Sequence, residues 1–257
     1  MNSLSPQNIH VGIVPDGNRR WAKENGKMPW DGHQRGTEVM GDIVKYVFSE
    51  TDIQYLTVFA FSFDNQKRSE EEKRHLFEIM AEAAIKTHEY VPSEVGISFL
   101  GDLSLFEGHS FERSFRRKIQ RELGTKKEVA TLRQLFESIA RPGESGRYLT
   151  LLAGYDPKRE EAEALDQFYD LELMEGEDLC RRFKSLMYDG GRLPDFSLIL
   201  RTGKDDNNRL SGFLPRLIGK NTYFEAPQIY WPDMTPDKFG GIYMDYRPKF
   251  GAERGGR

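Results

Sequence analysis

The sequence predicts an α/β domain built on a largely parallel central sheet flanked by helices. Three observations carry this reading. Short runs rich in β-branched and aromatic residues alternate with longer segments of helical periodicity. At 257 residues and 38% hydrophobic content, the chain can bury one large core, so a single domain over 1–257 is expected, with irregular tails at 1–8 and 247–257. Polar clusters also follow three of the expected strands directly, as in open parallel sheets that bind ligands at the carboxyl ends of their strands.

Taken in order, residues 9–14 read as the first strand and end in the turn residues Pro15-Asp16-Gly17-Asn18. Between Gln34 and Phe48, Val39, Met40, Ile43, Val44, Val47 and Phe48 recur at helical spacing. Residues 55–61 form a dense aromatic and β-branched run, suited to a central strand. A helix is expected from about Ser69, with Glu70, Glu71 and Glu72 in its first turn, where the dipole favours acidic groups. Residues 95–100 and 148–153 are further strand candidates, and 160–188 read as one long helical region. Residues 196–200 read as a buried strand running into Arg201. The stretch 103–147 is rich in charge and lacks clean periodicity, so no element is assigned there.

Composition narrows the function. A net charge of −4 gives no basic stripe for nucleic acid, and none is expected as a partner. The single cysteine, Cys180, cannot form an internal disulfide, which fits a cytoplasmic protein. No apolar run reaches the roughly 18 residues of a membrane span, so no stable membrane insertion is expected. The polar stretch 1–7 is too short for a signal peptide.

The three polar clusters are Asp16 to Arg20, Ser62 to Arg68, and Arg201 to Ser211. In the first, Gly17 lets the backbone approach a ligand and the following helix start offers N–H groups to an anion. Arg19 and Arg20 add bidentate phosphate donors, and Asp16 can hold a divalent cation against the same phosphates. Alone, a strand–DGN–helix turn is equally a tight turn with a helix cap.

The residues 10–22, HVGIVPDGNRRWA, resemble the signature of the cis-prenyltransferase, or undecaprenyl diphosphate synthase, family. The resemblance continues in order through Gly32-His33-Gln34-Arg35-Gly36, LTVFAFS with Asp64-Asn65 and Arg68 to Glu72, and Phe99-Leu100-Gly101-Asp102-Leu103. Arg201-Thr202-Gly203 with Arg209-Leu210-Ser211 and Phe213, Tyr223-Phe224, and Trp231-Pro232-Asp233 complete it. It implies a hydrophobic tunnel for prenyl chains, two diphosphate sites, Mg²⁺ as cofactor and a dimer, expected here to be a homodimer. By position, Asp16 is implied as the metal and catalytic residue, and Gly17, Asn18, Arg19, Arg20 and His33 as the donor diphosphate cradle. Arg68, Arg201, Arg209 and Ser211 are implied on the acceptor side, with Asn65 as a second catalytic residue beside the reacting carbons. Ionising an allylic diphosphate builds negative charge on the leaving group, which guanidiniums and Mg²⁺ stabilise. It also builds a delocalised cation that needs a dry pocket, to which Phe59, Phe61 and Phe63 contribute unless they are plain core.

The departures from the family cluster. Pro29 stands where the family has an arginine, Gln66 where it has a tryptophan, and Asn221 where it has a metal-binding glutamate. The segment Lys204-Asp205-Asp206-Asn207-Asn208 is two residues longer than usual, and Gly154-Tyr155-Asp156-Pro157-Lys158 replaces an Asn-Tyr-Gly-Gly-Arg run. Asp205 or Asp206 is a candidate to compensate for Asn221. This pattern suggests an acceptor other than isopentenyl diphosphate. It resembles the branch that couples allylic diphosphates, such as dimethylallyl or geranyl diphosphate, head to middle into lavandulyl-type products. A conventional short-chain cis-prenyl diphosphate synthase is the enzymatic alternative, and a non-catalytic partner subunit the other.

Overall fold

A computed structural model describes residues 8–172, 176, 178–204 and 209–250. Six parallel strands form one sheet in the order β3-β4-β2-β1-β5-β6: β1 (His10–Val14), β2 (Tyr55–Ser62), β3 (Gly96–Leu100), β4 (Tyr148–Tyr155), β5 (Leu198–Arg201) and β6 (Tyr223–Glu225). The described helices are α1 (Asn18–Glu24), α2 (Pro29–Glu50), α3 (Glu70–Ile85), α4 (Thr87–Tyr90), α5 (Arg113–Glu122) and α6 (Leu132–Ile139), then α7 (Pro157–Tyr169), α8 (Leu179–Lys184) and α9 (Pro236–Tyr246). None of the helices among the described residues is long and apolar enough to cross a membrane.

The pattern of burial explains the layers. On one face of the sheet, Val11, Ile13, Leu56 and Val58 pack with Val39, Ile43, Val44 and Val47 of α2 and with Phe239 and Tyr243 of α9. The apolar residues of α2 recur at helical spacing, so they form one stripe, and that stripe seats the helix on the sheet. On the other face, Val14, Leu152 and Tyr155 pack with Phe196, Phe213, Leu214 and Leu217. Ser69 caps α3 as its position suggests, its hydroxyl accepting from the Glu72 N–H at 3.2 Å.

The structure corrects two expectations and fills in one unassigned stretch. The region 160–188 is two helices: α7 starts at Pro157, capped by the Asp156 carboxylate accepting from Lys158 N and Arg159 N, and stops at Tyr169. Gly176 beyond it has φ +82, a conformation that breaks a helix. The unassigned stretch 103–147 holds α5 and α6. Residues 247–249 form a 3₁₀ turn rather than an irregular start to the tail. Asp205 and Asp206 lie outside the described residues.

Candidate active site

The parallel sheet brings the three polar clusters to its carboxyl edge. Register places Val14 beside Arg201, so the turn after β1 lies next to the end of β5. The turn itself is fixed from both sides. Asp16 N–H donates to Thr202 Oγ1 at 3.0 Å, Thr202 Oγ1 donates back to the Asp16 carbonyl at 2.9 Å, and Trp231 N–H donates to that same carbonyl at 3.0 Å. Gly17 has φ +102 and sits against Tyr230, where a Cβ would come within 2.5 Å of Cδ1. Both the dihedral and the contact require glycine.

Asp16 is the hub. Its Oδ1 accepts from Arg20 Nη2 at 3.0 Å and its Oδ2 from Arg201 Nη2 at 2.7 Å. Arg201 Nη1 donates to Ser211 Oγ at 2.7 Å and to the Arg209 carbonyl. Ser211 holds φ +49, an uncommon left-handed state for a side-chain-bearing residue, and so presents its hydroxyl to Arg201. Asp16, Arg20, Arg201, Arg209 and Ser211 are therefore one connected group.

A second group lies across α1, α2 and α3. Arg68 Nη1 donates to His33 Nε2 at 2.8 Å and to Glu72 Oε1 at 2.7 Å, and Arg19 Nε lies 3.7 Å from Glu72. Burial, reinforced by the Arg68 and Arg19 charges, pushes the His33 imidazole down to about 3. His33 is therefore neutral and accepts from Arg68 through Nε2. Its 3.7 Å approach to Glu72 is accordingly no ion pair. Arg68, expected on the acceptor side, lies with His33 and Arg19, which are expected on the donor side. Together with Asp16, Gly17, Asn18, Arg20, Lys23, Lys27 and Pro29 these residues line a cleft of about 650 Å³. Since α1 has only seven residues, the basic side chains, more than its short dipole, make this cleft cationic.

The cleft adjoins an apolar cavity of about 150 Å³ between the sheet and helices α2 and α3, and Pro15, Asn18 and His33 line both. Val58, Ala60, Met80, Ala84, Phe99 and Phe136 form much of its wall. Close approach of α1 to α2 builds the junction. A Cβ on Gly36 would meet Asn18 Oδ1 at 2.3 Å, and one on Gly32 would meet the Asn18 carbonyl at 2.1 Å, so the GHxxG spacing makes a flat seat for Asn18. Asn18 Nδ2 donates to the Pro15 carbonyl, but its Oδ1 is buried with no hydrogen-bond donor among the described residues. A buried acceptor left unpaired costs about 1–3 kcal/mol, and such costs concentrate at functional sites.

Other expected residues fall elsewhere. Asn65 Oδ1 accepts from the Ser62 N–H at 3.2 Å and caps the 3₁₀ turn after β2. Phe59 packs against Tyr155 and Phe213, and Phe61 against Phe77 and Phe106, so neither ring lines the cavity, whereas Val58 and Ala60 do. Phe63 lies under the Arg159 guanidinium, 4.3 Å from ring centroid to Cζ. Asn221 is exposed in the turn before β6, which pairs Tyr223 with Leu198. It therefore lies at the amino end of the sheet, roughly 20 Å of strand rise from Asp16, and reaches no ligand shared with Asp16 in the same chain. Sequence reasoning missed Glu72 as the partner of two arginines, although the i,i+4 spacing from Arg68 signals it. It also missed Lys23, Lys27, Thr202 and Tyr230.

Among the described residues no group of three His, Cys, Asp or Glu side chains could hold a metal ion. Asp16 supplies one carboxylate at the cleft mouth. That suffices for Mg²⁺, which commonly binds through one or two carboxylates and the phosphates of its substrate.

A parallel sheet with a cationic cleft adjoining an apolar cavity defines a class of enzyme that binds an anionic head and a hydrocarbon tail. Residues 14–251 match the family model described as "Putative undecaprenyl diphosphate synthase", and the chain belongs to that family, the cis-prenyltransferases. It is 30% identical over 227 residues to an isoprenyl transferase of Wolinella succinogenes, covering 88% of this chain and 87% of that one. It is 32% identical over 244 residues to dehydrodolichyl diphosphate synthase 2 of Arabidopsis thaliana, covering 93% and 72%. The fold is similar to the crystal structure of lavandulyl diphosphate synthase from Lavandula x intermedia in complex with dimethylallyl diphosphate. There the TM-score is 0.69 and the identity 23%, over 93% of this chain and 94% of that one. The protein is a prenyltransferase.

Proposed function

We propose that this prenyltransferase couples short allylic diphosphates head to middle, with dimethylallyl diphosphate as acceptor, and releases a branched, lavandulyl-type diphosphate. The cavity carries this reading. At about 150 Å³ it is close in size to engineered protein cavities that hold a benzene ring, which favours short prenyl groups over long polyprenyl chains.

The residues divide the work. Arg19, Arg20, Arg68 and the lysines of the cleft bind the donor diphosphate and stabilise the charge it gains as the C1–O bond breaks. Arg201, Arg209 and Ser211 hold the acceptor diphosphate. Mg²⁺, held by Asp16 and diphosphate oxygens, would add Lewis-acid stabilisation of the leaving group. Asn18 lines both cleft and cavity, with its buried amide oxygen seated against Gly36. The acceptor double bond attacks the donor C1, and the resulting tertiary cation loses a proton to restore a double bond. The exposed Leu165, Tyr169 and Leu179 on α7 and α8 suit a dimer interface, which sedimentation of the purified chain would check.

Incubation with dimethylallyl diphosphate and Mg²⁺ alone tests the reading, with dephosphorylated products identified by mass spectrometry. A branched C10 alcohol is expected. No product, followed by linear Z-configured chains once isopentenyl diphosphate is added, would identify a conventional elongating enzyme.

A further inference from the structure

Tyr230 stands between the two arginine arms of the site. The residue is 5% exposed, and its ring covers the Gly17 turn. The Arg20 guanidinium lies 5.6 Å from the ring centroid and the Lys204 ammonium 4.2 Å from it. The Tyr230 hydroxyl donates to Glu24 Oε1 at 2.5 Å, and Lys204 Nζ donates to Glu24 Oε2 at 3.3 Å. Arg20 and Glu24 belong to α1, whereas Lys204 leads out of the Arg201-Thr202-Gly203 segment. One ring thus holds two cations drawn from two parts of the site.

The physical effect follows from charge. Two cations beside one another repel, more so as solvent is excluded. The negative face of the ring attracts each, and the Glu24 carboxylate, fixed by the hydroxyl, offsets part of the repulsion. Without the ring, Arg20 keeps its bond to Asp16 and Lys204 its bond to Glu24, but each loses the face that fixes its direction.

We propose that Tyr230 is a positioning residue that couples the donor cleft to the acceptor arm. It fixes the direction of Arg20 and keeps Lys204 beside it, so an anion bound at one arm finds the other already ordered. This rests on the two-site reading given above.

Calorimetric binding of inorganic pyrophosphate to the full chain tests the coupling without turnover. Tyr230→Leu should weaken pyrophosphate on the order of tenfold, the size of a partly desolvated cation–π contact. Tyr230→Phe, which keeps the ring, should lose less. Combined with Arg20→Ala, Tyr230→Leu should weaken binding little beyond Arg20→Ala alone, since coupled residues are non-additive. In turnover, KM for the allylic diphosphate should rise more than kcat falls. Wild-type affinity in a folded Tyr230→Leu variant, or full additivity with Arg20→Ala, would overturn the proposal. If Tyr230→Leu does not fold, the surface change Glu24→Gln in a cycle with Lys204→Ala replaces it, and additivity there is equally fatal. Pyrophosphate binding with no prenyl turnover by the wild type would sink the functional reading and leave the coupling standing.

Discussion

Asp16 Oδ2 accepts a 2.7 Å hydrogen bond from Arg201 Nη2, joining the turn after β1 to the end of β5 across 185 residues of chain. The same carboxylate accepts from Arg20 at 3.0 Å through its other oxygen. A single side chain therefore links the arm assigned to the donor with the arm assigned to the acceptor. Diphosphate oxygens offer both guanidiniums an alternative anion, which leaves Asp16 able to take a cation.

Asp16→Ala removes this hub. Loss of one electrostatic element in such a site commonly costs about 10²–10³ in rate. Turnover of dimethylallyl diphosphate should fall by that order while the thermal melt stays cooperative. A folded variant with near-wild-type turnover would remove Asp16 from the chemistry.

The two arms should separate in kinetics. Arg20→Ala and Arg68→Ala are expected to raise KM for the donor, and Arg201→Ala for the acceptor. Arg68 is grouped with the donor in the proposed division because it bonds His33 at 2.8 Å and lines the same cleft as Arg20. Paired substrates that differ in chain length, such as geranyl and dimethylallyl diphosphate, allow the two KM values to be measured in one assay. If Arg68→Ala changes only the acceptor KM, the grouping is wrong.

Acid stability reports two buried histidines. Burial pushes His33 down to about 3 and His10 down to about 4. His10 opens β1, its ring bonded to the Pro194 carbonyl at 2.7 Å and to Thr57 Oγ1 of β2 at 2.8 Å. Both folded values lie below the unfolded value near 6.5, so the unfolded chain takes up protons first as pH falls. Stability is full above about pH 6.5 and declines below it, until pH passes the folded values. Each histidine contributes a slope of up to about 1.4 kcal/mol per pH unit within that window. Denaturant titrations from pH 7 to pH 4.5 should show this decline, and His33→Gln should flatten it. An unchanged slope in that variant would mean that His33 protonates in the folded state.

Much of this was legible because it depends on local chemistry. The strands at 9–14, 55–61 and 148–153 announce themselves by β-branched and aromatic runs, and the turn at Asp16-Gly17 by residues that only a tight turn tolerates. Convergence of the polar clusters followed from their position after parallel strands. What escaped depended on contacts distant in sequence or on weak patterns. β6 is only three residues long and gains its place from pairing with β5. α5 has only Phe115 and Ile119 as apolar side chains among many charged ones, so its stripe is narrow. In the run Phe59-Ala60-Phe61 the aromatic residues drew attention, yet the β2–β4 register is irregular at Ala60, and the cavity is lined by Val58 and Ala60 instead. Tyr230 has no motif of its own, and its role arises where chain segments meet.

The wall of the cavity should set the length of the prenyl chain. Met80 and Ala84 both line it, on the same helix α3 and one turn apart. Met80→Ala removes side-chain volume at the wall, and Ala84→Leu adds it. Core truncations of this kind cost about 2–5 kcal/mol when fully buried, and Met80 is half-buried, so a value toward the lower end is expected and the fold should persist. Overpacking at Ala84, which is 6% exposed, should cost about 1–3 kcal/mol. A methylene in an apolar pocket is worth about 1–3 kcal/mol of discrimination, so the ratio of kcat/KM for geranyl over dimethylallyl diphosphate should move by on the order of tenfold or more. It should rise in Met80→Ala and fall in Ala84→Leu. Competition between the two donors, read by the ratio of C15 to C10 products, measures both shifts at once. An unchanged ratio in both folded variants would place the donor tail somewhere other than this cavity.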